Sequence, residues 1–508
     1  MATMSLLDDT IYPAPLLCDF YKISHREQYP TGTEYVYSTW IPRASLIEGV
    51  DTVVAFGFQY FAKAYLIDYF QKHFFDRPFG EVAAEYVRFI SNTLGDPNPE
   101  TGHLRDLHAL GFLPVRVRAV PEGTSVPLRV PMLTIENTEP RFFWVTNFLE
   151  TLFSAEVWHP CTSATIAREY RKTLNEWARK TGGDLEFVPF QGHDFSMRGM
   201  EGLHAAAKGG AGHLLSFTGT DTIPSIPFLE RFYNADITKE LVGTSIPATE
   251  HSVMCAYGTD ELGAYREILT NRYPNGFVSV VSDTYNFWDV LTEILPKLQD
   301  EIMARDGKLV IRPDSGDPVD IVAGTEGTLF SESGDERESK GAVQLLWETF
   351  GGTINDQGFK VLDPHVGVIY GDSITLARAR AISQRLHDRG FASTNVVYGI
   401  GSYTYQHVTR DTFGFALKST WVQINGEERN IFKDPATDKK KVKKSLTGRV
   451  VVATANAPGN PLRAYDGLTK AQQEALAGTD ELRTIFEDGK LIVDDSLANI
   501  RERVLSTV

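Results

Sequence analysis

The sequence predicts a mixed α/β protein: an irregular (β/α) barrel plus an α+β antiparallel-sheet domain built from both terminal regions. Three observations carry that expectation. Between about residues 151 and 400, short apolar runs alternate with stretches of helical periodicity, the pattern of parallel βα units. Before residue 150 and after residue 401 the period drops to two, as in Val115-Arg116-Val117-Arg118-Ala119-Val120, which marks strands with one covered face. Three apolar runs, over residues 277–283, 309–314 and 366–372, each stop at or just before an aspartate. In barrels and open α/β sheets the carboxyl ends of parallel strands carry the chemistry.

The elements follow in order. Glu34-Tyr35-Val36-Tyr37-Ser38-Thr39-Trp40 reads as a strand ending near Arg43, and the aromatic-rich stretch 56–75 as helix. Over 80–94, Val82, Tyr86, Val87, Ile90 and Leu94 recur at helical spacing, and Gly95 signals a C-cap. Pro121-Glu122-Gly123 turns the chain from the strand 115–120 into 126–135, whose prolines argue for edge strands. Helices are expected over 141–158 and 164–180, and a strand over 185–190. The division is thus 1–150 for the first part of the sheet domain, 151–400 for the barrel and 401–508 for the return to the sheet, with strands over 412–424 and 449–454. The Gly/Ser/Glu-rich stretch 324–340 reads as a surface insertion. The lysine run Lys439, Lys440, Lys441, Lys443, Lys444 reads as solvated surface first and as attraction for ATP second.

Composition narrows the function. Fifty Lys and Arg against 66 Asp and Glu leave a formal charge of −16, which argues against non-specific nucleic-acid binding and against an anionic membrane surface. Cys18, Cys161 and Cys255 offer no paired spacing, so neither a disulfide framework nor a zinc site is expected, and a reducing cytoplasm fits. The chain starts with acidic Asp8 and Asp9 rather than a basic, then apolar leader, and no apolar run approaches the roughly 18 residues of a membrane span.

The stretch Lys308-Leu309-Val310-Ile311-Arg312-Pro313-Asp314-Ser315-Gly316 delivers a guanidinium, a carboxylate, a hydroxyl and a glycine turn at one strand end, because proline stops the ladder. A single Asp after a strand is ordinarily a helix N-cap. Three of them (Asp283, Asp314, Asp372), one beside Arg312, point instead to a site, although one or two could serve both purposes. No G-x-x-x-x-G-K-[ST] is present. Gly399-Ile400-Gly401-Ser402-Tyr403-Thr404 lacks the last glycine of a dinucleotide fingerprint and reads better as a phosphate-binding turn.

Further segments join these: Asp19-Phe20-Tyr21-Lys22, Gly192-His193-Asp194-Phe195-Ser196-Met197-Arg198-Gly199, Gly219-Thr220-Asp221-Thr222 and Ala248-Thr249-Glu250-His251-Ser252. In order, and along nearly the whole chain, they resemble the nicotinamide phosphoribosyltransferase family of type II phosphoribosyltransferases. The resemblance implies synthesis of nicotinamide mononucleotide and pyrophosphate from nicotinamide and phosphoribosyl pyrophosphate, with Mg²⁺, stimulation by ATP, and a homodimer with active sites at the subunit interface.

It also assigns residues. Phe195 of one subunit and Tyr21 of the other would sandwich the pyridine, with Asp19 nearby; alone, either aromatic reads as core. Asp221 and Arg312, with Ser279, would meet the carboxamide, and an anionic Asp221 would repel nicotinate. Asp314, Gly371 and Asp372 would take the ribose hydroxyls, and Arg198 with the backbone of Gly401 and Ser402 the 5′-phosphate. Arg43, Arg410, Lys418 and Lys433 would meet pyrophosphate or ATP. Asp283 and Asp314 would offset positive charge at the anomeric carbon or hold Mg²⁺ through water. His251, structural by composition alone, would be phosphorylated by ATP and oriented by Asp283. Met197 departs from the family, which typically has an aromatic residue there, and the glycine-rich turn departs at Ile400, Ser402 and Tyr403. The competing readings are a nicotinate phosphoribosyltransferase, a metal-dependent barrel phosphoesterase, which would want more rim histidines, and a non-catalytic scaffold.

Overall fold

Six short parallel strands form where the sequence places its buried apolar runs. In the computed structural model, which describes residues 12–325, 335–437, 444–455 and 461–508, they are β1 (Gly192–Asp194), β2 (Gly219–Thr220), β3 (Asn275–Val281), β4 (Asp306–Arg312), β5 (Val366–Tyr370) and β6 (Val396–Ile400). Their order across the sheet is β2-β1-β6-β5-β4-β3, parallel throughout. Val278, Val280, Leu309, Ile311 and Val368 are buried, as strands covered on both faces require. The two outer strands are joined by the stretch 244–249. Thr244 pairs in parallel with Gly219, and Ala248 with Ser279. The Thr249 amide also donates to Ser279 and the Ser279 amide to Pro247. This irregular stave curls the sheet into a barrel, the fold class expected. The unit holding it comprises Ile166–Pro227 and Asp236–His407.

The rim aspartates do not cap the helices that follow them. Asn286 caps the helix starting at Phe287, Asp317 caps Pro318–Ala323 and Thr375 caps Leu376–Asp388, each through its side chain. Asp283, Asp314 and Asp372 are thereby left for other work.

The other unit comprises the chain up to Thr165, Phe228–Ala235 and Val408–Thr507. Its seven-stranded sheet runs Glu427–Asn430, Ala416–Ile424, Thr33–Ile41, Leu133–Asn137, Val115–Ala119, Arg483–Glu487 and Lys490–Leu491, with every pairing antiparallel. Strands from both ends of the chain interleave in it. Trp40 stacks on Phe415, centroids 5.1 Å apart, in its core.

Three local expectations are corrected. The two helices over 141–158 and 164–180 are one, Val145–Lys180, with Pro160 inside it. An interior proline costs about 3 kcal/mol through its missing N–H and its ring. Here that cost is offset by the buried Val157, Cys161 and Ala164 and by Cys161 Sγ donating to the Phe56 carbonyl. The strand over 185–190 does not form: Pro189 sits in the first turn of the short helix Val188–Gln191, and only Gly192–Asp194 is extended. Finally, Leu133–Asn137 is an inner strand, because its proline, Pro131, precedes the ladder. Of the insertion, residues 326–334 lie outside the described residues, as do 439–443 of the lysine run. No described helix is long and apolar enough to cross a membrane.

Candidate functional site

The barrel unit contains a cavity of about 370 Å³. Phe195, Asp221, Ser279 and Arg312, four of the residues expected to hold the base, line it together. Phe195 follows β1 and its amide donates to the Ile400 carbonyl of β6. Its ring lies against two glycines: a β-carbon on Gly399 would stand 2.4 Å from the ring, and one on Gly371 3.2 Å away. Asp221 follows β2, its amide bonded to the Asp194 carbonyl. His193 Nε2 lies 2.9 Å from Asp221 Oδ1, and Ser245 Oγ donates to the same oxygen at 2.6 Å. Burial alone would raise the Asp221 carboxyl, but the bonds from His193 and Ser245 and the Arg312 charge together hold it below the ordinary value. Asp221 is therefore an anion whose Oδ1 is engaged by protein. Ser279 Oγ and Arg312 Nε are buried and have no hydrogen-bond partner among the described residues. An anionic acceptor and orphaned polar groups in a largely apolar cavity suit a flat ring bearing one amide.

His193 and Ser245 were not singled out from sequence. His193 lay within a motif read for its phenylalanine and arginine. Ser245 lies on the stave 244–249, which has no periodicity to find.

At the rim, Asp283 Oδ2 accepts from the Asp314 amide at 2.9 Å and from Ser315 Oγ at 2.6 Å. Its Oδ1 is buried, has no hydrogen bond among the described residues, and lies 3.7 Å from His251 Nε2. His251 opens the helix His251–Cys255, is half exposed, and has Thr284 Oγ1 3.3 Å from Nδ1. A β-carbon on Gly371 would lie 3.0 Å from Asp314 Oδ1, which puts the ribose candidates Asp314 and Gly371 side by side. The Tyr370 phenol senses the whole rim: burial first, then Asp372, Asp314 and Asp283, push its pKa up. Among the described residues no three His, Cys, Asp or Glu side chains converge as a ready metal cage. Asp283 Oδ1, a hard oxygen not taken up by a hydrogen bond among the described residues, with Asp314 nearby, fits an ion such as Mg²⁺ that binds through one or two carboxylates, water and substrate phosphate.

The phosphate candidates also meet. A β-carbon on Gly199 would stand 2.0 Å from Ser402 Oγ, so the Arg198-Gly199 and Gly401-Ser402 segments lie against each other. The Glu201 amide donates to Gln406 Oε1 across the same seam.

The remaining candidates belong to the sheet unit. Arg43, Lys418 and Lys433 line one narrow pocket with Thr39, Ile41 and Ser445. Lys418 Nζ also bonds Glu150, which pairs with Lys22 as well. Tyr21 is exposed, Asp19 is held by Thr151 Oγ1 at 2.7 Å, and Arg410 lies beside Asp411. Burial, Asp19 and Glu150 push the Tyr21 phenol up and Arg410 opposes them, so these groups share one neighbourhood.

Family models match the chain in two places: the nicotinate phosphoribosyltransferase (NAPRTase) family over residues 190–490, and the nicotinamide phosphoribosyltransferase N-terminal domain over 14–79. A protein of Acinetobacter baylyi named nicotinamide phosphoribosyltransferase is 47% identical over 96% of each chain. One of the same name from Xanthomonas campestris is 36% identical over 95% of this chain and 96% of its own. Among solved structures, nicotinate-nucleotide pyrophosphorylase from Pyrococcus furiosus aligns with a TM-score of 0.59 at 15% identity, covering 100% of this chain and 98% of that one. Human nicotinic acid phosphoribosyltransferase aligns with a TM-score of 0.51 at 16% identity, over 97% and 93%. Both share the fold.

Proposed function

The chain belongs to the nicotinamide phosphoribosyltransferase family, and on that footing we propose how its residues divide the work. The reaction is transfer of the phosphoribosyl group of phosphoribosyl pyrophosphate to nicotinamide, giving nicotinamide mononucleotide and pyrophosphate. The observation that carries the choice of base is the Asp221 carboxylate, fixed by His193 and Ser245 in a cavity where Ser279 Oγ and Arg312 Nε lack hydrogen-bond partners among the described residues. The carboxylate accepts from the amide NH₂, Arg312 and Ser279 meet the amide oxygen, and a nicotinate carboxylate would be repelled. The pyridine lies on Phe195. Tyr21, exposed on the sheet unit, closes its other face from the second subunit of a homodimer, with Asp19 beside it.

Asp314, Gly371 and Asp372 hold the ribose, and Arg198 with the Gly401 and Ser402 backbone holds the 5′-phosphate. The pyridine nitrogen attacks the anomeric carbon as the bond to pyrophosphate breaks, so no protein nucleophile is required. Orientation and charge supply the rate. Arg43, Arg410, Lys418 and Lys433 gather the anionic charge of pyrophosphate or ATP. Asp283 and Asp314 would hold Mg²⁺ through water, and the ion, when bound, supplies positive charge to the departing pyrophosphate.

His251, half exposed and facing Asp283, takes the γ-phosphoryl group of ATP on a ring nitrogen while ADP departs, and Asp283 steadies the resulting cationic ring. The added phosphate oxygens favour bound Mg²⁺ and phosphoribosyl pyrophosphate. An assay of nicotinamide mononucleotide with and without ATP, on wild type and His251→Ala, tests the scheme. ATP stimulation and acid-labile label from γ-labelled ATP are expected in wild type only. Equal ATP stimulation in the variant would remove His251 from the scheme.

A further inference from the structure

We propose that His213 and Tyr405 form a buried strut that fixes the base-reading strand against the phosphate-binding turn, and that both are positioning residues for the transfer step. The inference rests on the reading in which Asp221 takes the base and Gly401 with Ser402 the 5′-phosphate. His213 ends the helix Leu203–His213 and, like Tyr405, has no solvent exposure. Its Nε2 lies 3.0 Å from the Gly219 carbonyl. A carbonyl only accepts, so Nε2 carries the proton, and Nδ1 accepts from the Tyr405 hydroxyl at 2.7 Å. Burial pulls the imidazole pKa down to about 4, so the neutral ring that makes both bonds persists at working pH.

The positions of the two ends give the strut its meaning. Gly219 is the first residue of β2 and stands two residues before Asp221. Tyr405 closes the helical turn Ser402–Tyr405. That turn is tied a second time, on its other side. Thr404 Oγ1 donates to the Ile374 carbonyl at 2.7 Å, and the Tyr170 hydroxyl joins both, 3.1 Å from Thr404 Oγ1 and 3.2 Å from the Ile374 carbonyl. Ile374 lies two residues after Asp372, on the ribose loop. One four-residue turn is thus bolted to the strand that reads the base and to the loop that holds the sugar.

A displacement at the anomeric carbon needs the ring nitrogen within about 3–3.5 Å of its target, and an error of about 1 Å costs on the order of 100-fold. The strut sets that separation without touching either substrate. A network that only stabilised the fold would leave folded molecules turning over at the normal rate.

Tyr405→Phe removes the hydroxyl and keeps the ring. Its kcat should fall about 10- to 100-fold. Dissociation constants for nicotinamide and for phosphoribosyl pyrophosphate, titrated separately by calorimetry, should stay within about threefold of wild type. A kcat within twofold of wild type overturns the strut. Should Tyr405→Phe not accumulate folded, the imidazole ¹⁵N spectrum of the wild-type protein decides. A neutral ring protonated on Nε2 supports the arrangement, and an Nδ1-protonated or charged ring overturns it. Asp221→Asn, titrated alongside, separates the two levels. If it leaves nicotinamide affinity unchanged, the base-site reading fails. If it weakens nicotinamide binding while Tyr405→Phe keeps its kcat, the strut alone fails.

Discussion

The proposed scheme concentrates recognition of the base in one side chain, Asp221. Its Oδ1 is committed to His193 and Ser245, and its charge persists because those bonds and Arg312 outweigh the effect of burial. A hydrogen bond to a charged group contributes about 1.5–3 kcal/mol. Asp221→Asn should therefore cost nicotinamide about 10- to 100-fold in kcat/KM and narrow its advantage over nicotinate by a similar factor. Steady-state kinetics with both bases checks this, and an unchanged preference would remove Asp221 from the amide. Gly399 is a second residue whose side chain, or lack of one, decides a site. A methyl there would stand 2.4 Å from the Phe195 ring and 2.8 Å from the Gly371 Cα. Gly399→Ala should displace the ring and weaken nicotinamide binding by at least about tenfold, as titration would show. From sequence, Gly399 read as part of a phosphate turn. Its place beneath Phe195 follows from the parallel pairing of β1 and β6, which no local pattern records.

At the scale of elements, the strands that end at the rim were legible because an apolar run closed by Ser, Pro or Gly and then Asp is a local signal. The freedom of their aspartates from helix capping was not legible, since Asn286, Asp317 and Thr375 take that work, each three residues further on. The stave 244–249 escaped for another reason: it contributes two bridges rather than a ladder, and its sequence follows the requirements of closure. Pro160 misled because a proline normally marks a helix boundary, and only packing around Val157, Cys161 and Ala164 offsets it.

One element carries a pH prediction. The helix Phe58–Phe61 begins over the buried Glu122 carboxyl, which accepts from the Gly57 and Gln59 amides and from the Tyr233 hydroxyl. Burial pushes that carboxyl up from 4.5 to about 7. Because the folded state binds this proton more tightly than the unfolded chain, the contribution is full below about 4.5 and is lost as pH rises through about 7. Glu122→Gln should flatten the fall in melting free energy across that window, by on the order of 1–3 kcal/mol. Denaturant melts of both proteins at pH 5 and pH 8 check this. An unaltered pH slope would contradict it.

For the molecule as a whole, the −16 formal charge coexists with one pocket that gathers Arg43, Lys418 and Lys433, a local concentration of positive charge that total composition hides. The proposed sharing of the base site between Phe195 of one subunit and Tyr21 of another predicts complementation. Phe195→Ala and Tyr21→Ala homodimers should each be nearly inactive. Mixed and exchanged, they should regain up to about a quarter of wild-type activity, since random pairing leaves one intact site in half of the dimers. The central claim, that nicotinamide sits in the barrel cavity with its amide on Asp221, is tested most directly by a crystal structure of the nicotinamide complex. The account predicts the amide nitrogen about 3 Å from an Asp221 carboxylate oxygen, with the ring stacked on Phe195. Nicotinamide bound away from both residues would contradict it.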